Sequence, residues 1–74
     1  MLIVLPSTPA TEKASQYLTS QGYAHQVIPI PESLGYKTGS DIGIYTVAEN
    51  CNKILTDLTQ QRFVVMRVFK DFIL

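Results

Sequence analysis

The apolar positions of this chain fall into two periods. "LIVL", residues 2–5, is a short unbroken apolar run, the pattern of a strand buried on both faces in the middle of a sheet. In "PSTPATEKASQYLTSQG", residues 6–22, Ala10, Ala14, Tyr17 and Leu18 recur at helical spacing. Thr8 is the expected N-cap, Pro9 the first helical residue, and Gly22 the left-handed stop. "AHQVIPIP" reads as a second strand, and Pro29, which has no N–H to give to a ladder, assigns it to a sheet edge. "DIGIYTV" is a third strand. Thr46 and Glu49 have the spacing of a capping box for a second helix with an inward stripe of Val47, Cys51, Ile54, Leu55 and Leu58. "FVVMRVF", residues 63–69, is rich in β-branched and aromatic residues and reads as a fourth strand.

The order β-α-β-β-α-β predicts one α+β domain spanning residues 1–74, of ferredoxin-like topology. Two right-handed crossovers would place both helices on one face of a four-stranded antiparallel sheet, with the first and third strands central. No internal repeat is evident in the residues. The first and last strands are apolar on both alternating sets, so the sheet face away from the helices is expected to be covered. A second copy, giving a homodimer, is the favoured cover, with the tail "KDFIL" as the alternative.

Composition removes several classes of function. Six basic and six acidic residues cancel, which argues against the electrostatic attraction that nucleic-acid and anionic-membrane binding rely on. One cysteine and one histidine make neither an internal disulfide nor a zinc site, and the chain reads as a reduced, cytoplasmic protein without metal or cofactor. "MLIVLP" is too short, and too poor in basic flanking residues, for a signal peptide. Among activities that share the expected fold, RNA stacking is poorly supported, because the central strands offer only Tyr45 and no basic residue. Copper transfer lacks C-x-x-C in the first loop, and acyl-phosphate hydrolysis lacks an arginine beside "PST".

With "LPST", a helix ending at Gly22, "VIPIP", a variable loop and Gly43 opening an apolar strand, the chain resembles a family of small bacterial proteins described as selenium/sulfur carrier-like and of unknown function. The resemblance implies a ferredoxin-like unit with a Cys-Gly pair at the start of the third strand, whose thiol would carry the chalcogen. Gly43 matches the glycine, but Ile42 stands where the cysteine would be, so the implied nucleophile is missing. Cys51 could stand in for it only if reachable, since the thiolate is the form that is loaded. Its helical spacing predicts a core position instead.

Candidate chemistry therefore centres on "SLGYKTGSDIGIY", residues 33–45, which holds three of the four glycines. Tyr36, Lys37, Thr38, Gly39, Ser40, Asp41 and Gly43 combine a cation, hydroxyls and a carboxylate in a flexible setting suited to a small polar ligand, or equally to a solvated turn. Ser7 and Thr8 stand at a helix start, where free N–H groups favour an anion, although capping alone explains them. Glu32 and Asp41 could form a carboxylate pair, but their spacing does not bring them together. His25 has no serine or cysteine identifiable beside it and is expected to be structural. The reading is a small non-catalytic binding protein that contacts a protein partner or a polar ligand through this loop and the Ser7/Thr8 corner. Its alternatives are a carrier using Cys51 and an adaptor using the last strand or tail.

Overall fold

The computed structural model describes residues 1–37 and 39–74. The elements are β1 (Leu2–Val4), α1 (Thr8–Ser20), β2 (Gln26–Pro29), a 3-10 turn (Glu32–Leu34), β3 (Ile42–Tyr45), α2 (Ala48–Gln60) and β4 (Arg67–Phe69). They form a four-stranded antiparallel sheet in the order β2-β3-β1-β4, the ferredoxin-like arrangement expected from the pattern. Pro29 lies on an edge strand, where its missing N–H leaves no gap in the ladder.

One row across the sheet reads Val27–Ile44–Ile3–Val68, each residue paired with the next. Ile3 and Ile44 at its centre join Leu5, Ala14, Leu18, Ile54 and Leu58 in a fully buried core between sheet and helices. The next row, Gln26–Tyr45–Leu2–Phe69, points to the other face. Leu2 and Val4 on that face are nonetheless wholly buried within a single chain. Aromatic side chains close over it: Phe72 packs edge-on against Tyr45 with ring centroids 5.9 Å apart, and Tyr36 meets Phe69 at 5.6 Å. The Arg67 guanidinium sits over both the Phe69 and Tyr36 rings, 4.7 and 5.4 Å from their centroids. The N-terminal amine fastens this cover by donating to the Phe72 carbonyl at 2.8 Å. The two-sided apolarity that pointed to a second copy thus has a cause within one chain, while Ile73 and Leu74 beyond Phe72 stay exposed.

Two local expectations are corrected. The N-cap of α1 is Ser7, whose Oγ accepts from the Ala10 N–H at 3.1 Å; Thr8 and Pro9 follow it inside the helix. The Thr46/Glu49 capping box does not form. Thr46 is buried and spends its hydroxyl on the Ala24 carbonyl, so the N-cap falls on Val47, which has no side-chain hydrogen bond and is 53% exposed instead of lying on the inward stripe. Cys51, Ile54 and Leu58 do form that stripe.

The structure also reveals a repeat that the residues hide. Both helices have 13 residues, and their buried positions, Thr11, Ala14 and Leu18 against Cys51, Ile54 and Leu58, correspond at a constant spacing. Both end in the same Schellman closure. Gly22 N–H donates to Thr19 and Tyr23 N–H to Leu18, while Arg62 N–H donates to Thr59 and Phe63 N–H to Leu58. Gly22 and Arg62 occupy the same left-handed position, with φ of 80° and 65°. Only glycine adopts that geometry without strain, and a side chain there costs about 1–2 kcal/mol. The helices are further joined by Tyr17, which donates its hydroxyl to Asp57 Oδ1 at 2.7 Å. Hydrogen bonding to Asp57, followed by burial, pushes the Tyr17 and Tyr23 phenols above their ordinary value.

Replacing Arg62 by glycine is expected to stabilise the protein by about 0.5 kcal/mol after allowing for the freer unfolded chain, with the urea midpoint rising at constant slope. Gly22→Ala, which has open space around its added methyl, should lose about 1 kcal/mol from backbone strain alone. The raised phenol values make a pH prediction. Folding holds these protons to higher pH than the unfolded chain does, so the contribution is intact below the ordinary tyrosine value near 10 and is lost as pH rises through the folded-state values. Urea midpoints measured across that alkaline range should fall less steeply in Asp57→Asn than in the native chain.

Candidate functional site

The β2-to-β3 connection leaves the sheet after a final ladder contact, Ile30 N–H to the Asp41 carbonyl at 3.0 Å. It then makes the single turn Glu32–Leu34, closed by Gly35 at a φ of 63°. From there the chain runs to the start of α1 and is fixed against it. Gly39 pairs with Ser7 in an isolated parallel bridge, and a Cβ on Gly39 would collide with the Pro6 carbonyl oxygen. Hydroxyls complete the attachment. The Asp41 N–H donates to Thr8 Oγ1 at 3.2 Å, and the buried Thr11 hydroxyl donates to the Ser7 carbonyl at 2.9 Å and lies 3.1 Å from Ser40 Oγ. Ser40 is itself buried, with its hydroxyl 2.6 Å from the Ile42 carbonyl.

Between this attachment and the body of the loop lies an open cleft of about 830 Å³, lined by Ile30, Glu32, Gly35, Tyr36, Lys37, Ser40 and Asp41. Glu32 and Asp41, which sequence spacing alone did not join, share its wall with Lys37. Its charged lining is thus two carboxylates and one ammonium, and Tyr36 contributes a ring already immobilised against Phe69 and Arg67. Lys37 and Asp41 are exposed and able to reach a ligand.

The residues singled out from sequence divide into three groups. Tyr36, Lys37, Ser40 and Asp41 meet at the cleft. Ser7, Thr8 and Gly39 form its anchorage, with the Ser7 and Thr8 oxygens accepting hydrogen bonds from the chain itself. Gly43 lies elsewhere, buried in β3, where an added Cβ would stand 2.8 Å from the Leu2 side chain and 3.2 Å from the Ile3 carbonyl oxygen. Thr38 falls outside the described residues. Gly35 from the glycine-rich stretch, Glu32, weighed as a partner of Asp41, and Ile30, which was not anticipated, complete the lining. The signal for Ile30 lay in the expected antiparallel sheet, since residues flanking the connection between its second and third strands are brought opposite one another.

Cys51 is only 2% exposed on the inward stripe of α2, and Ile42 before Gly43 is half-buried, so neither position presents a thiol at the surface. Among the described residues no group of three or more His, Cys, Asp and Glu side chains could hold a metal ion, and no helix is long and apolar enough to cross a membrane. No serine is identifiable beside His25 from the sequence, yet the fold brings the hydroxyl of Ser15 to 2.7 Å from its Nε2.

The chain matches no family, no curated protein and no solved structure. The carrier-like resemblance therefore rests on the short motifs alone, and the site is read from its own geometry.

Gly39→Ala should force the loop off the helix start. The expected result is a loss of roughly 1–3 kcal/mol, the range for overpacked positions, with faster amide exchange at Asp41, whose N–H would leave Thr8. Unchanged stability and exchange would show that the attachment is not close-packed.

Proposed function

We propose that this protein is a binding protein whose site is the cleft between the 3-10 turn and the Ser7–Gly39 attachment, and whose ligand is small, polar and carries both an ammonium and an anionic group. The observation that supports this most is the lining. Glu32 and Asp41 are placed to accept from a cation, Lys37 to donate to an anion, and Tyr36 to supply a flat apolar wall. The volume lies within the range of small-molecule sites.

The two ends of the loop favour the same reading. One is fixed to α1 through Gly39 and Asp41, the other to the sheet through Tyr36, so the charged groups are held on a frame that loses little freedom when a ligand arrives. The glycines serve this frame at Gly39 by permitting backbone contact. The hydroxyls of the corner belong to the support and the charges of the loop to recognition.

The experiment is an NMR titration of labelled protein with free α- and ω-amino acids at millimolar concentration. A ligand bearing both charges should shift the amides of residues 30–41 in a saturable manner. Asp41→Asn and Lys37→Met should each weaken binding about tenfold, in keeping with the loss of one charge-assisted hydrogen bond. If no zwitterion perturbs these amides, or if both variants bind as the native chain does, the proposal fails.

A further inference from the structure

Away from the cleft, the C-terminal closure of α1 brings a base onto a hydroxyl. Tyr23 N–H is bonded to the Leu18 carbonyl, which turns the chain back along the helix so that His25 lies beside Ser15, ten residues earlier. His25 Nδ1 is 2.9 Å from the Tyr23 carbonyl. A carbonyl can only accept, so Nδ1 carries the proton of the neutral ring, and Nε2 presents its lone pair to Ser15. The Ser15 hydroxyl must then donate to Nε2 across the 2.7 Å contact. Ser20, on the same helix, instead donates to the Tyr17 carbonyl, as a serine at a helix end ordinarily does.

These are the parts of an activated nucleophile: a hydroxyl, a base within proton-transfer distance and a third group fixing the tautomer of that base. Ser15 and His25 are both half-buried, so the contact is partly shielded from water yet reachable from outside, and neither residue lines the cleft. We propose that Ser15 and His25 form a nucleophile–base pair that accepts an acyl group from an activated ester.

In the first step Ser15 Oγ bonds to the ester carbonyl carbon while its proton passes to His25 Nε2. The tetrahedral adduct collapses by breaking the bond to the leaving oxygen, which takes the proton from Nε2 and departs as the free alcohol or phenol. Water, deprotonated by the same Nε2, then cleaves the acyl-serine, releasing the carboxylic acid and restoring the hydroxyl. Esters of acidic alcohols, aryl esters above all, are the expected class, because the pair supplies a base and a nucleophile and leaves the departure of the leaving group to its own acidity.

The test uses a fluorophosphonate probe on the full chain, followed by intact mass and peptide mapping. In that reaction the P–F bond is replaced by a P–O bond to Ser15, fluoride leaves, and His25 takes the proton. A single adduct at Ser15 is expected, formed at least about 100-fold faster than any at Ser20, and absent in Ser15→Ala. His25→Ala should slow labelling by about 100-fold and regain rate on addition of free imidazole, a recovery that a merely structural histidine would not give. His25→Gln keeps a hydrogen-bonding amide at the position and carries the comparison if the alanine variant does not fold. Native protein that stays unlabelled at Ser15, or His25 variants that label at the native rate, would overturn the proposal.

Discussion

The fold depends on one strand being buried from both sides. β1 occupies the centre of the sheet with Leu2, Ile3 and Val4 all at zero exposure, so a chain of 74 residues must provide two covers for it. One cover is the pair of helices, which pack Ala14, Leu18, Ile54 and Leu58 against Ile3 and Ile44. The other is assembled from what remains: Tyr36 from the loop, Tyr45 and Phe69 from the sheet, and Phe72 from the tail. Gly43 is part of the same solution, since any side chain at that point would collide with Leu2. Without the second cover two large aliphatic side chains would face water, at a cost of roughly 1.5–3 kcal/mol each.

This constraint also shapes the cleft. Tyr36 in the connection between β2 and β3 packs on Phe69 of that face, and Gly39 in the same connection meets Pro6 and Ser7 at the start of α1. The concavity left between these two fixed points is where Glu32, Lys37 and Asp41 collect. The proposed site is thus a consequence of closing a small core.

Much of the architecture was legible because it is written in periodicity. Continuous apolarity gave β1 its central place, Pro29 placed β2 at an edge, and the inward stripe of α2 was read correctly at Cys51, Ile54 and Leu58. Local capping was less legible, because Ser7 and Thr8 are chemically alike and a T-x-x-E spacing cannot show that the Thr46 hydroxyl is taken by Ala24 across the fold. The repeat was hidden by substitution. Arg62 stands where the other half has Gly22, and Cys51 where it has Thr11, so equivalent positions share burial and geometry without sharing chemistry. Four cleft residues were foreseen as a polar loop, but Glu32 joined them through the 3-10 turn, which no periodic pattern announces. The Ser15–His25 contact depends on the path of the chain after Gly22, and ten residues of separation conceal it.

In this structure one chain closes both faces of its own sheet. This closure is tested most directly by isotope-filtered NOE measurements on a mixture of labelled and unlabelled protein, which separate contacts within a chain from contacts between chains. Tyr45–Phe72 and Tyr36–Phe69 ring NOEs are expected within one molecule, together with NOEs from Leu2 to these rings of the same chain. Contacts to Leu2 and Val4 that appear only between differently labelled molecules would contradict it.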